Sequence, residues 1–118
     1  MTLQHFTLIF LGGGLGSVCR YALSRMLPQV QPGFPWATLF ANLAGCLLIG
    51  LLAHSLAHDS AWRWLLIAGF CGGFTTFSTL SLECVQLWQA QQFATLALYL
   101  AASLILGLTA VAAGLMLG

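Results

Sequence analysis

Charge is what this sequence most lacks. Only 4% of its 118 residues are charged, and the formal charges reduce to Arg20, Arg25, Asp59, Arg63 and Glu83. A soluble domain covers its surface with about a quarter charged residues, so a water-exposed globule is excluded. Lysine is absent and the three arginines form no basic patch, which argues against a nucleic-acid partner. Proline is confined to Pro28, Pro32 and Pro35, so no other stretch carries a strong helix breaker. The four cysteines, Cys19, Cys46, Cys71 and Cys84, make no C-x-x-C pair and lie in apolar sequence. They read as small fillers of helix contacts, not as a disulfide framework.

What is present is hydrocarbon. Residues 1–19, 26–58, 64–82 and 84–118 carry no formal charge, and 60% of the chain is hydrophobic. A spanning helix needs about 20 apolar residues at about 1.5 Å of rise each. The chain therefore reads as an all-α membrane domain with spans at about 3–26, 36–56, 62–90 and 93–117. The first lacks a basic leader and a small-residue cleavage site, so it is expected to be a span and not a signal peptide. Trp36, Trp62, Trp64 and Trp88 fall near span ends, where amphipathic rings prefer the headgroup layer. Four spans put Arg20 and Arg25 towards one side and Arg63 towards the other. That bias is too weak to fix one orientation, so insertion both ways and an antiparallel homodimer follow as expectations. Four thin helices hardly enclose a path alone, which also favours an oligomer.

Four polar features interrupt the apolar background. Gly12-Gly13-x-x-Gly16-Ser17-x-x-Arg20-Tyr21 has the small-xxx-small spacing that lets helices approach closely in lipid. No Gly-Lys-Ser/Thr follows, and the dinucleotide fingerprint fails at its last glycine. Arg20 either snorkels to the interface or draws anions towards a vestibule. Thr38 and Asn42, with Gly45 and Cys46, share a face of the second span. An amide at that depth must find partners, either across a helix contact or along a wet path.

The most informative feature runs from Gly69 to Thr79, with adjacent glycines Gly72 and Gly73 and the hydroxyls of Thr75, Thr76, Ser78 and Thr79. Such weak helix formers predict a third helix broken mid-membrane, with main-chain groups turned to protein, water or a small cation. The alternative is a Ser/Thr-rich helix that bonds back onto its own carbonyls. Glu83 follows, an intramembrane acid and hence a functional candidate or a vestibule group. The fourth span carries Thr95, Tyr99 and Ser103 at i, i+4 and i+8, extended by Gly107. With the Thr38–Asn42 face, this row reads as a narrow donor-lined path for a small anion that must be desolvated yet released. His54 and His58 lack the glutamate of a zincin helix and read as interface histidines. No nucleophile, base and orienter set is visible, so an enzyme is not expected.

In order and spacing these motifs resemble the Fluc/CrcB family of fluoride channels. The pieces are the Gly12–Tyr21 motif, Thr38-Leu39-x-x-Asn42-x-x-Gly45, and Gly69-x-x-Gly72-Gly73-x-Thr75-Thr76-Phe77-Ser78-Thr79 followed by Glu83. The resemblance implies a dual-topology homodimer in the bacterial inner membrane that passes fluoride out of the cell passively and relieves its toxicity. It implies a pore lined by Asn42, Phe77, Thr38, Thr76, Ser78, Thr79, Tyr99, Ser103 and Glu83, with Arg20 at the vestibule. Phe77 would turn its ring edge, the positive part of the aromatic quadrupole, to the anion. The carbonyls of Gly72 and Thr75, doubled by the dimer twofold, would hold a structural Na+. Leu80 stands where a second pore phenylalanine is expected, Gly107 where some members carry a hydroxyl, and Ala37 in place of a glycine. Some members pair unlike subunits, a heterodimer alternative. The competing class is the small multidrug-resistance exporter, also four spans of dual topology. That class has an acid in the first span, which is absent here. A membrane subunit without transport of its own is the third reading.

Overall fold

The computed structural model describes residues 2–27 and 33–118, so Pro28 and Pro32 of the expected first loop lie outside the described residues. All regular structure within the described residues is helical. Helix α1 (Leu3–Met26) opens on a reciprocal cap: Thr2 Oγ1 accepts from the His5 N–H, and His5 Nδ1 accepts from the Thr2 N–H. Helix α2 (Trp36–Ser55) starts directly after Pro35, whose missing N–H costs a helix start nothing. Its C-terminal carbonyls are met by Arg63, whose Nη1 donates to Ala53 O at 3.3 Å and Leu56 O at 3.0 Å. A cation there also opposes the negative end of the helix dipole.

The third span begins as a wide π-helical stretch, Arg63–Cys71, and runs into a single α-turn, α3 (Gly72–Phe74). Thr75 and Thr76 are then extended, with φ/ψ of −88°/156° and −152°/120°. Helix α4 (Phe77–Gln89) resumes with Thr76 as its N-cap, the Thr76 hydroxyl accepting from the Thr79 N–H at 3.1 Å. A tight turn through Gln91, at φ 59°, leads to α5 (Phe93–Leu117).

Among the described residues, four helical stretches are long and apolar enough to cross a membrane: Leu3–Met26, Trp36–Ser55, Arg63–Gln89 and Phe93–Leu117. They match the expected spans to within a residue at each end. At about 1.5 Å per residue, each reaches about the 30 Å of a hydrocarbon core. The molecule, 47 Å along its longest axis, presents apolar side chains outwards: Phe10, Leu108 and Met116 are all largely exposed. A water-soluble protein of this size would not tolerate that surface, whereas a bilayer solvates it.

Lipid gives helices no hydrophobic reason to associate, so close backbone approach supplies the contact. α2 packs most extensively on α5 and α1 on the π-helical stretch. At Gly50 a Cβ would stand 3.0 Å from Gly114 Cα, and at Gly69 a Cβ would stand 3.0 Å from Gly12 Cα. The small-xxx-small spacing of α1 is thus used within the chain, where Gly12 and Gly16 meet main chain of residues 65–74. The small interior core gathers Leu39, Leu87 and Tyr99, with Leu80 and Cys84 packed against them.

Candidate functional site

An extended pair inside a span frees main-chain groups that lipid cannot satisfy. In a continuous helix the Thr76 N–H would bond the Gly72 carbonyl, and the Thr79 N–H would bond that of Thr75. Neither does. Thr76 N–H donates to Asn42 Oδ1 at 2.8 Å, while Asn42 Nδ2 donates back to Thr76 O at 3.2 Å. The Thr79 N–H is taken by the Thr76 hydroxyl, which in turn donates to Thr79 Oγ1 at 3.1 Å and lies 3.2 Å from Ser78 Oγ. Thr75 stays tied backwards, its N–H and hydroxyl both donating to Cys71 O. The Gly72 and Thr75 carbonyls therefore lose their helical donors to side chains. Asn42 spends both halves of its amide on one peptide of the third span. Asn42 therefore makes a helix contact, and it also lines the larger cleft described below.

On the α1 side, the Gly73 carbonyl accepts from Arg20 Nε at 3.3 Å and Ser17 Oγ at 3.5 Å. Of the Arg20 guanidinium, expected to snorkel or to draw anions, the Nε–H goes to main chain. The rest of its guanidinium borders a cleft of about 400 Å3 that it shares with Tyr21, Arg25, Thr38, Thr79 and Glu83. Glu83 sits at this cleft with both oxygens engaged. Tyr99 O–H donates to Oε1 at 2.8 Å and Thr38 O–H to Oε2 at 2.9 Å. Tyr99 is fully buried and Thr38 nearly so, so one carboxylate fastens α2, α4 and α5 together.

A second, larger cleft of about 710 Å3 is bordered by α2, the third span and α5. Asn42, Gly72, Thr75, Phe77, Leu80 and Ser103 are among the residues lining it. Ser103 Oγ is buried with no hydrogen-bond partner among the described residues. Phe77, at the first turn of α4, is 81% exposed and rests on little of its own chain. The α2 face and the α5 row do face one another, through Glu83 at the Thr38–Tyr99 level and across the larger cleft at the Asn42–Ser103 level. Gly107 continues the α5 row and packs towards Cys46 on the α2 face, where an added Cβ would stand 3.6 Å from Cys46 Sγ. Sequence reasoning passed over Ser17 and Gly73 as bonding partners, and no periodic signal marks a carbonyl acceptor. It also passed over the close seat of Gly45, where a Cβ would fall on the Thr75 methyl.

Among the described residues no group of three or more His, Cys, Asp or Glu side chains is gathered that could hold a metal. A cation at this site would depend on main-chain oxygen, the ligand type that hard cations take.

Fold and site together define a multi-pass membrane protein with two clefts bordering its third span. The chain matches, over residues 7–115, the family described as CrcB-like protein, Camphor Resistance (CrcB), and belongs to that family. It is 44% identical over 115 residues to a protein of Paracoccus denitrificans named fluoride-specific ion channel FluC, covering 96% of this chain and 93% of that one. A Flavobacterium psychrophilum protein of the same name is 46% identical over 114 residues, covering 92% of each chain. One from Methanopyrus kandleri, also so named, is 42% identical over 116 residues, 95% of this chain and 87% of that one.

Proposed function

We propose that this chain is the subunit of a fluoride-selective channel that lets fluoride leave a bacterial cell passively through the inner membrane. The observation that carries the proposal is the near full-length likeness to relatives named as fluoride-specific ion channels. The site supports it independently. Hydroxyls and amides line the clefts, and no lysine is available to hold an anion permanently.

In this reading two copies meet antiparallel, as a homodimer and not as unlike subunits, across the face that carries Phe77 and the larger cleft. A ring exposed at 81% beside an open cleft is what a second copy would cover. The interruption at Thr75 and Thr76 lies near mid-membrane, and the Gly72 and Thr75 carbonyls, doubled by the dimer, would hold a structural Na+ there. The residues fit that ion: both carbonyls have lost their helical donors, to Asn42 and to the Thr76 hydroxyl. The ion's contribution when bound is positive charge in an otherwise uncharged region. Asn42, Thr38, Thr76, Ser78, Thr79, Tyr99, Ser103 and Glu83 belong to the permeation path or its walls. Phe77 turns a ring edge to it, and Arg20 borders its vestibule.

The test is ion release from liposomes. Purified protein should release loaded fluoride and retain chloride; equal leakage of both would overturn the reading. Drug-dependent proton movement without fluoride flux would favour an exporter of the small multidrug-resistance type, although no acid stands in α1. Sodium should raise the melting point in detergent relative to a large organic cation, because a ligand that binds only the native form stabilises it. Identical melting in both would remove the cation site.

A further inference from the structure

Three residues of α1 converge on one peptide of the third span. Gly13, Ser17 and Arg20 stand at i, i+4 and i+7, a single helical face. A Cβ at Gly73 would stand 3.0 Å from both Gly13 C and Gly13 Cα, so the two main chains are in direct contact. One turn on, Ser17 Oγ and Arg20 Nε both donate to the Gly73 carbonyl. A carbonyl has two lone pairs, and here both find donors from α1. In an unbroken helix that carbonyl would accept from the Phe77 N–H, which α4 carries off with its first turn. The orientation of the Gly73 peptide is therefore set by α1 and not by its own helix.

We infer that Arg20 is a positioning residue for the cation site. By holding the Gly73 carbonyl through Nε–H, it fixes the peptide between the two carbonyls offered to the ion, and its charge is not what this role needs. Asn42 holds the far side of the same turn at Thr76, so the carbonyl ligands lie between two clamps supplied by α1 and α2. The inference rests on the channel and cation-site reading above, and goes beyond it by giving Arg20 a hydrogen-bonding task distinct from attracting anions.

Glutamine and methionine separate the two tasks. Glutamine places an amide nitrogen at the same bond distance from Cα as Arg Nε, with a donor and no charge. Methionine matches the length with neither, and lysine keeps the charge with a differently placed donor. The full chain, wild type and as Arg20→Gln, Arg20→Met and Arg20→Lys, is reconstituted for fluoride efflux and melted in sodium and in N-methylglucamine. Arg20→Met should lose at least about tenfold in flux, the factor that about 1.4 kcal/mol represents, and should lose the sodium-dependent rise in melting. Arg20→Gln should keep flux within about threefold of wild type and keep the sodium response, since the donor survives. If Arg20→Gln behaves as Arg20→Met while Arg20→Lys behaves as wild type, charge is what matters and the inference falls. A wild-type response retained in Arg20→Met also overturns it. Should Arg20→Met not fold, Arg20→Gln decides alone: retained flux and sodium response support the inference, and their loss overturns it. A failure of the underlying channel reading is separate, because it appears in the wild type as neither fluoride flux nor a sodium shift.

Discussion

Replacing Asn42 by leucine removes both ends of the bidentate hold on Thr76 while keeping the number and branching of side-chain heavy atoms. The bonds lost are the Thr76 N–H to Oδ1 at 2.8 Å and Nδ2–H to Thr76 O at 3.2 Å, both within ordinary hydrogen-bond range. Leaving a buried donor and acceptor unpaired costs about 1–3 kcal/mol each in a water-soluble protein, or about 2–6 in all. Inside a bilayer the unfolded reference also finds partners, and measured bonds average about 0.6 kcal/mol with a ceiling of about 1.7. The membrane figures govern here, because Asn42 lies within a span. The expected destabilisation is therefore about 1–3 kcal/mol, read by reversible unfolding in mixed micelles. Fluoride efflux should fall with it, since the turn that presents the Gly72 and Thr75 carbonyls loses its α2 clamp. Leu108→Ala, on an exposed outer face of α5, is the control and should stay within about 0.5 kcal/mol of wild type. Unfolding of Asn42→Leu indistinguishable from wild type, with efflux intact, would refute the idea that this amide holds the turn.

Other expectations follow from single contacts. Gly45→Ala would press a Cβ onto the Thr75 methyl and within 3.6 Å of the Phe74 ring, an overpacking worth about 1–3 kcal/mol that should also weaken the proposed sodium-dependent rise in melting. Tyr99→Phe removes the O–H that meets Glu83 Oε1 and, by the same membrane figures, should cost about 0.6–1.7 kcal/mol on unfolding. Thr38→Val removes the companion bond to Oε2, and a double-mutant cycle between the two should show coupling through the shared carboxylate. Phe77→Ile, at a side chain resting on little of its own chain, should leave subunit unfolding within about 0.5 kcal/mol of wild type. Its fluoride efflux should nevertheless drop by about tenfold or more, which about 1.4 kcal/mol on the barrier produces.

The spans were legible in the sequence because a bilayer fixes both their length and their hydropathy, leaving each boundary uncertain by only a residue or so. The pairing of polar groups was legible by type and not by address. Thr38, Asn42, Glu83 and Tyr99 stood out as polar groups in an apolar background. Which carboxylate oxygen each hydroxyl would meet depends on how α2, α4 and α5 are rotated about their axes. Asn42 illustrates the limit: sequence left it between a helix contact and a wet path, and its partner proved to be main chain 34 residues away. A carbonyl has no side-chain signature, so the bonds from Arg20 and Ser17 to Gly73 were invisible by the same logic. The π-helical winding of residues 63–71 likewise left no mark, because after Arg63 the stretch is uniformly apolar and shows no periodic face from which its pitch can be read.

The extended pair at Thr75 and Thr76 has two unlike lips, and that asymmetry bears on which ions it suits. The helical run from Arg63 to Phe74 ends there and presents carbonyls, the negative end of its dipole. Helix α4 begins there and presents the N–H groups of its first turn, the positive end. Side chains already answer the Thr76 and Thr79 N–H groups and the Gly73 carbonyl, whereas the Gly72 and Thr75 carbonyls have given up their helical donors. Oxygen left facing a cleft repels an anion, so a turn of this kind left uncompensated would oppose the passage of fluoride. A small cation held on those oxygens reverses the sign of the field, and the α4 lip, with Phe77 at its edge, becomes the more favourable side for an anion. In the proposed channel, cation site and anion path are then two sides of one interruption. A variant that abolishes the sodium response should accordingly lose fluoride flux as well, even where no residue of the α4 lip has been changed.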